Sequence, residues 1–165
     1  MIKFEKVSYN QFRTALLNTN DDLDENDIEA VYNSIELPTR ATSGSAGYDF
    51  KTPISFDLIP GEVDEILIPT GIRCIMDSDK VLNLYPRSGL GFKYGLALAN
   101  STGIIDSDYC QSKNEGHIMV KLTSKKPISL VAGDRIVQGM FVQYFTTDDD
   151  TVTASRDGGF GSTGK

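Results

Sequence analysis

From Leu37 onward the chain is a succession of short stretches rich in β-branched and aromatic residues, each cut off by Gly, Pro or Asp. "GYDFKT", "ISFDLI", "DEILIPTGIRCIM", "KVLNLYP", "YGLALAN", "HIMVKLTS", "PISLVAG" and "RIVQGMFVQYF" follow one another in this way. No helical period of useful length separates them, so they do not read as the strands of a βαβ sheet. The pattern predicts an all-β sandwich or barrel over residues 37–145. At 165 residues the chain has room for one such domain with a real core, plus a small appendage.

The two ends differ from that middle. In residues 1–36, Ser8 and Gln11 have the spacing of a capping box, and Phe12, Ala15 and Leu16 then share one helical face. Ile28, Val31, Tyr32 and Ile35 recur at the spacing of a second amphipathic helix. The acidic stretch "NDDLDENDIE" between them lacks the Gly and closing Glu of an EF-hand loop. It predicts a helix start, where carboxylates meet the positive end of the helix dipole. Residues 1–36 therefore read as a helical extension. Residues 146–165 are polar and Gly-rich and read as an extended arm.

Charge and residue usage narrow the function. A net charge of −7 argues against a nucleic-acid partner, which needs a basic face, but leaves room for a single nucleotide held by a few cations. No apolar run approaches a membrane span, and the N-terminus has no signal-peptide core, so no membrane partner and a cytoplasmic location are expected. Cys74 and Cys110 form neither a disulfide framework nor a metal-ligand spacing. The single histidine, His117, lies in a strand-like stretch and reads as structural, which leaves no conventional serine triad.

Chemistry is then sought in the turns. "SAGYDF" places Asp49 after a small, flexible run. "PRSGLG" offers the guanidinium of Arg87, the hydroxyl of Ser88 and the accessible amide of Gly89, a set that suits phosphate oxygens and equally suits a polar turn. "ANSTGIIDSDY" leads from Asn100 through Gly103, Ile104 and Ile105 to Asp106, Asp108 and Tyr109. Two carboxylates beside an aromatic ring can hold a water or a metal. "GDRIVQG" carries Arg135 and Gln138 around a strand start. The C-terminal "GGFGSTGK" has most of a P-loop, but the helix that such a loop needs is missing after Lys165. The other readings of this segment are a frayed tail or an arm that closes on a phosphate bound elsewhere.

Taken together and in order, these five stretches resemble the five motifs of the trimeric dUTPase family, over about residues 37–165. The resemblance implies a jelly-roll subunit and a homotrimer whose three active sites are each built from all three chains. It implies dUTP as substrate and Mg²⁺ as cofactor. It makes Asp106 the water-activating carboxylate. Asn100 with Gly103, Ile104 and Ile105 becomes the uracil-reading hairpin, and Tyr109 the ring under the deoxyribose that excludes a 2′-hydroxyl. Arg87, Ser88, Gly89 and Gln138 become phosphate contacts, and Asp49 reaches the metal through water. Arg156 and Phe160 become arm residues that touch the phosphates and stack on uracil, with Gly161, Ser162 and Thr163 around the γ-phosphate. A dCTP deaminase of the same superfamily and a non-catalytic, partner-binding role are the rival readings. The chain departs from the family pattern after Tyr109, where "CQSKNE" lengthens the hairpin before Gly116.

Overall fold

The computed structural model describes residues 1–19, 24–154 and 156. Its largest sheet runs β2 (Thr39–Arg40), β3 (Tyr48–Lys51), β12 (Arg135–Gln143), β7 (Lys80–Pro86), β9 (Gly103–Asp106), with every neighbour antiparallel. A second sheet runs β5 (Glu65–Pro69), β10 (Met119–Thr123), β8 (Ala97–Leu98). β4 (Phe56–Leu58) pairs with β11 (Ile128–Leu130), and β1 (Lys3–Lys6) with β6 (Ile72–Ile75). These antiparallel sheets form the expected jelly-roll β fold.

The core follows from the alternation of the strands. Leu82 and Leu84 of β7 point inward beside Phe50 of β3. In β12 the consecutive residues Ile136 and Val137 are both buried, because a bulge shifts the register between Arg135 and Val137. Gly139 has no room for a side chain: a Cβ there would lie 2.8 Å from Leu82 and 2.9 Å from Phe50.

The extension is not helical throughout. Lys3–Lys6 is a strand on β6, and Phe4 packs edge-on against Tyr48 and Phe50. Pairing with an available sheet edge overrides local helix propensity at this point. The two helices are as expected. In α1 (Tyr9–Leu17), Phe12, Ala15 and Leu16 are buried; α2 (Glu25–Ser34) and the residue after it bury Ile28 and Ile35. Part of the acidic stretch, residues 20–23, lies outside the described residues. The capping box is only half made by Gln11. Ser8 Oγ accepts from the Gln11 amide at 3.2 Å, but the Ser8 amide donates to Glu115, far along the chain.

A further helix, α3 (Ser88–Tyr94), replaces the polar turn expected at "PRSGLG". Gly95 closes it in the left-handed region at φ 66°. Among the described residues no helix is long and apolar enough to cross a membrane.

Candidate active site

Among the described residues β9 is the last strand of its sheet and pairs only with β7, so its outer edge presents backbone donors and acceptors that no other described strand uses. Gly103 lies opposite Leu84, and a Cβ at Gly103 would stand 3.0 Å from the Leu84 Cβ. Only glycine lets the turn at residues 99–102 enter the strand this closely. That turn is tight: Ser101 takes φ 66°, and the Thr102 amide donates to the Asn100 carbonyl at 2.7 Å. The outer edge borders a cavity of 860 Å³, which Asn100, Gly103, Ile104, Ile105 and Tyr109 all line. It has apolar walls and one strand edge, the arrangement a flat heterocycle with hydrogen-bonding edges requires.

β9 ends at Asp106, which opens the 3-10 turn Ser107–Gln111. The turn leaves the Asp106 and Asp108 side chains about half exposed and sends Tyr109 inward to line the cavity. Arg156 bonds both carboxylates, through Nη2 to Asp106 and through Nε to Asp108 at 3.0 Å. Its guanidinium also lies 5.7 Å from the centroid of the Tyr109 ring. The Tyr109 hydroxyl donates to the His117 carbonyl at 2.9 Å and accepts from the Asn114 amide at 2.8 Å. Burial raises the phenol's pKa, against smaller opposing effects from Asn114 and Arg156. Tyr109 is thus a neutral, fixed ring.

A second group sits at the far end of β7. Asp49, with 13% of its side chain exposed, bonds Arg87 at 3.0 Å and Arg135 at 3.1 Å. Gln138, opposite Asp49 in the β3–β12 register, extends over Gly47, where a Cβ would stand 2.6 Å from the Gln138 Oε1. Asp49, Arg87, Ser88 and Gln138 line a cavity of 580 Å³. Gly89 lies beside it in α3, with open space around its Cα.

The two cavities share no lining residue. Asp106 faces Val81 near the start of β7, and Arg87 follows its last residue. At ~3.3 Å per residue, the two ends are about 20 Å apart. One chain therefore brings together Asp106, Tyr109, Arg156 and the β9 edge, and separately Asp49, Arg87, Ser88 and Gln138. Phe160, Gly161, Ser162 and Thr163 lie outside the described residues.

Four contributors are hard to find from sequence. Arg135 stands out in its motif, but only the strand register ties it to Asp49. Met119 and Lys121, which line the same 860 Å³ cavity, look like ordinary strand residues. Asn114 lies in the lengthened hairpin, which follows no pattern that would single it out. His117 is structural, as its strand-like setting predicts. It is fully buried, its Nε2 accepts from the Gly71 amide at 2.9 Å, and burial lowers its pKa to about 4.

Comparison with known families decides the reading, because the family model for dUTPase matches residues 33–164. The chain belongs to the dUTPase family. It is 43% identical over 145 residues to the deoxyuridine 5′-triphosphate nucleotidohydrolase of Mannheimia succiniciproducens, covering 82% of this chain and 91% of that one. The enzyme of the same name from Lactococcus lactis is 40% identical over 135 residues, covering 79% and 89%. The crystal structure of the dUTPase from Streptococcus mutans superposes with a TM-score of 0.64 at 34% identity, covering 88% of this chain and 98% of that one. Family membership makes the chain a nucleotide hydrolase of the dUTPase kind. The family match starts inside α2, so β1 and α1 stand outside it.

The described residues contain no group of three or more His, Cys, Asp or Glu able to cage a metal. That donor set fits Mg²⁺ in one way. The ion keeps most of its waters and is carried by substrate phosphates, with a carboxylate reaching it through water. Asp49 would fit such a role: its two oxygens accept from Arg87 and Arg135, and each would still have a lone pair for a water.

Proposed function

We propose that this chain hydrolyses dUTP to dUMP and pyrophosphate, with Asp106 as the base. The observation that carries the reading is the cluster at the end of β9. A free strand edge, a buried neutral ring and an arginine line one cavity, and that arginine bonds two carboxylates. Uracil offers two carbonyls and one N–H between them, and the edge of β9 with the Asn100 amide supplies complementary groups. The deoxyribose lies on Tyr109, whose fixed ring excludes a 2′-hydroxyl.

Asp106 accepts a proton from a water that attacks the α-phosphorus, and pyrophosphate leaves with the cleaved P–O bond's electron pair. For Asp106 to do so, Arg156 exchanges its two carboxylates for phosphate oxygens. One side chain thus covers the base and then binds developing charge. Arg87, Ser88, the Gly89 amide and Gln138 hold the phosphates. Phe160 to Thr163 close over base and γ-phosphate. Asp49 would hold a Mg²⁺ ion through water, and such an ion would supply charge neutralisation at the phosphates.

The separation of the two groups supports a homotrimer. A triphosphate on the β9 edge of one chain cannot reach that chain's own Arg87 about 20 Å away. A neighbouring copy supplies it.

The test is pyrophosphate release from dUTP, with dCTP, dTTP and UTP as controls. Fast release from dUTP alone is expected. Ammonia release from dCTP would point instead to the deaminase reaction, and no turnover of any nucleotide would overturn the reading.

A further inference from the structure

The two parts of this chain that depart from the family core touch each other, and their contact ends on Tyr109. The lengthened hairpin packs its inner side directly on the Tyr109 backbone. Gly116, at φ 73°, sits so close that a Cβ would stand 2.6 Å from the Cys110 Cα and 2.9 Å from the Tyr109 carbonyl. Asn114 donates to the Tyr109 hydroxyl, and that hydroxyl donates to His117, so both hydrogen-bonding functions of the phenol are used. The outer side of the hairpin is tied to the extension. Glu115 accepts from the Ser8 amide at 2.7 Å and from the Ser8 hydroxyl at 2.6 Å, and Ser8 caps α1. The His117 ring, 6.2 Å from that of Phe12, fills the space beneath.

We propose that Asn114 and Glu115 are positioning residues for Tyr109, and that α1, through Ser8, braces them so that the ring holds its place against a 2′-hydroxyl. This rests on the dUTPase reading above, in which Tyr109 is the sugar-discriminating ring. A ring that can retreat by a few tenths of an ångström admits a ribose. Interiors resist such retreat only where every neighbour is itself fixed. Tyr109 is held by the Asn114 amide, the His117 carbonyl and the close approach of Gly116; Glu115, next to Asn114 in the lengthened hairpin, is itself tied to Ser8 of the extension.

The measurement is the ratio of kcat/KM for dUTP to that for UTP. It is made on the unmutated protein and on Asn114→Ala, Asn114→Asp, Glu115→Gln and Ser8→Ala. Asn114→Asp fills the same space but cannot donate to the phenol, so it keeps the test sound should the alanine variant fold poorly. Losing one hydrogen bond lowers the ratio by up to about tenfold in the Asn114 variants. Glu115→Gln and Ser8→Ala, one contact further away, lower it by about twofold to threefold. In a Tyr109→Phe background, which lacks the hydroxyl, Asn114→Ala lowers the ratio no further. The proposal is overturned if the variants slow both nucleotides equally, or if the Asn114 effect persists undiminished without the hydroxyl. Equal turnover of dUTP and UTP by the unmutated protein sinks the underlying reading before any variant is made.

Discussion

Asp49 and Asp106 are both gripped by arginine, but the grips are built differently. Asp49 is 13% exposed and takes its guanidiniums from Arg87 and Arg135, at the ends of strands on its own sheet. Asp106 is 46% exposed and takes its guanidinium from Arg156, 50 residues later on a segment with no strand pairing. Folding the sheet assembles the first cluster. The second depends on an arm laid across a finished surface. Opening a half-exposed ion pair costs little, so the Asp106 pair is exchangeable while the Asp49 cluster stays in place. In the proposed reaction Asp106 as base must be released, whereas residues that hold phosphates must not move.

The largest break in this contrast comes from Asp106→Asn, which keeps shape and removes the proton acceptor. Single-turnover hydrolysis of dUTP should fall by about 10²- to 10⁴-fold, while a non-hydrolysable analogue still binds. Asp108→Asn should cost far less, and an inactive Asp108→Asn with an active Asp106→Asn would make Asp108 the base instead. Next, Arg156→Ala should lower turnover by about 10²- to 10³-fold without changing the melting temperature. A drop in melting temperature would mean that the arm is part of the scaffold after all.

The floor under Tyr109 provides a third comparison, through pH. The folded pKa of His117 is depressed to about 4 by burial. The unfolded chain therefore takes up the proton first, and stability that is full above about pH 6.5 is lost as pH falls toward 4. The loss amounts to about 3 kcal/mol. Urea midpoints measured from pH 7.5 to 4 should fall less steeply for His117→Gln than for the unmutated chain. Parallel curves would place the acid sensitivity elsewhere. The smallest effect is expected for Asp49→Asn, which leaves two guanidiniums facing each other. It should lose about 1 kcal/mol, a few degrees in melting temperature, whereas Asp106→Asn should leave thermal stability unchanged.

The β architecture was legible because strand alternation and turn residues are local signals. Leu82 and Leu84 on β7, or Ile128 and Leu130 on β11, announce their face by spacing alone. The grouping of Asn100, Gly103, Ile104, Ile105 and Tyr109 around one cavity was legible because these residues are nearly contiguous. What could not be read was set by partners distant in sequence. Lys3–Lys6 became a strand because β6 offered it an edge. Ser8–Gln11 looked like a closed capping box, but Glu115, 107 residues away, took the reciprocal bond. α3 hid behind its glycines at 89 and 91, which weaken any helical reading. The grip of Arg156 on Asp106 needed the end of the chain folded back over β9.

The pairing of β1 with β6 bears on how the protein can be handled. Among the described residues β6 pairs with no strand other than β1. A chain begun at residue 37, near the family boundary, would leave the β1-facing edge of β6 unpaired, although the Ile72 amide and carbonyl keep their bonds to Thr70 and Ile118, and would unroof the apolar surface under Phe12, Leu16 and Ile28. Such an edge is a template for other chains. Trimming this molecule to its enzymatic core would therefore yield a sticky protein before it yielded a smaller one: the strand Lys3–Lys6 acts as a guard against self-association.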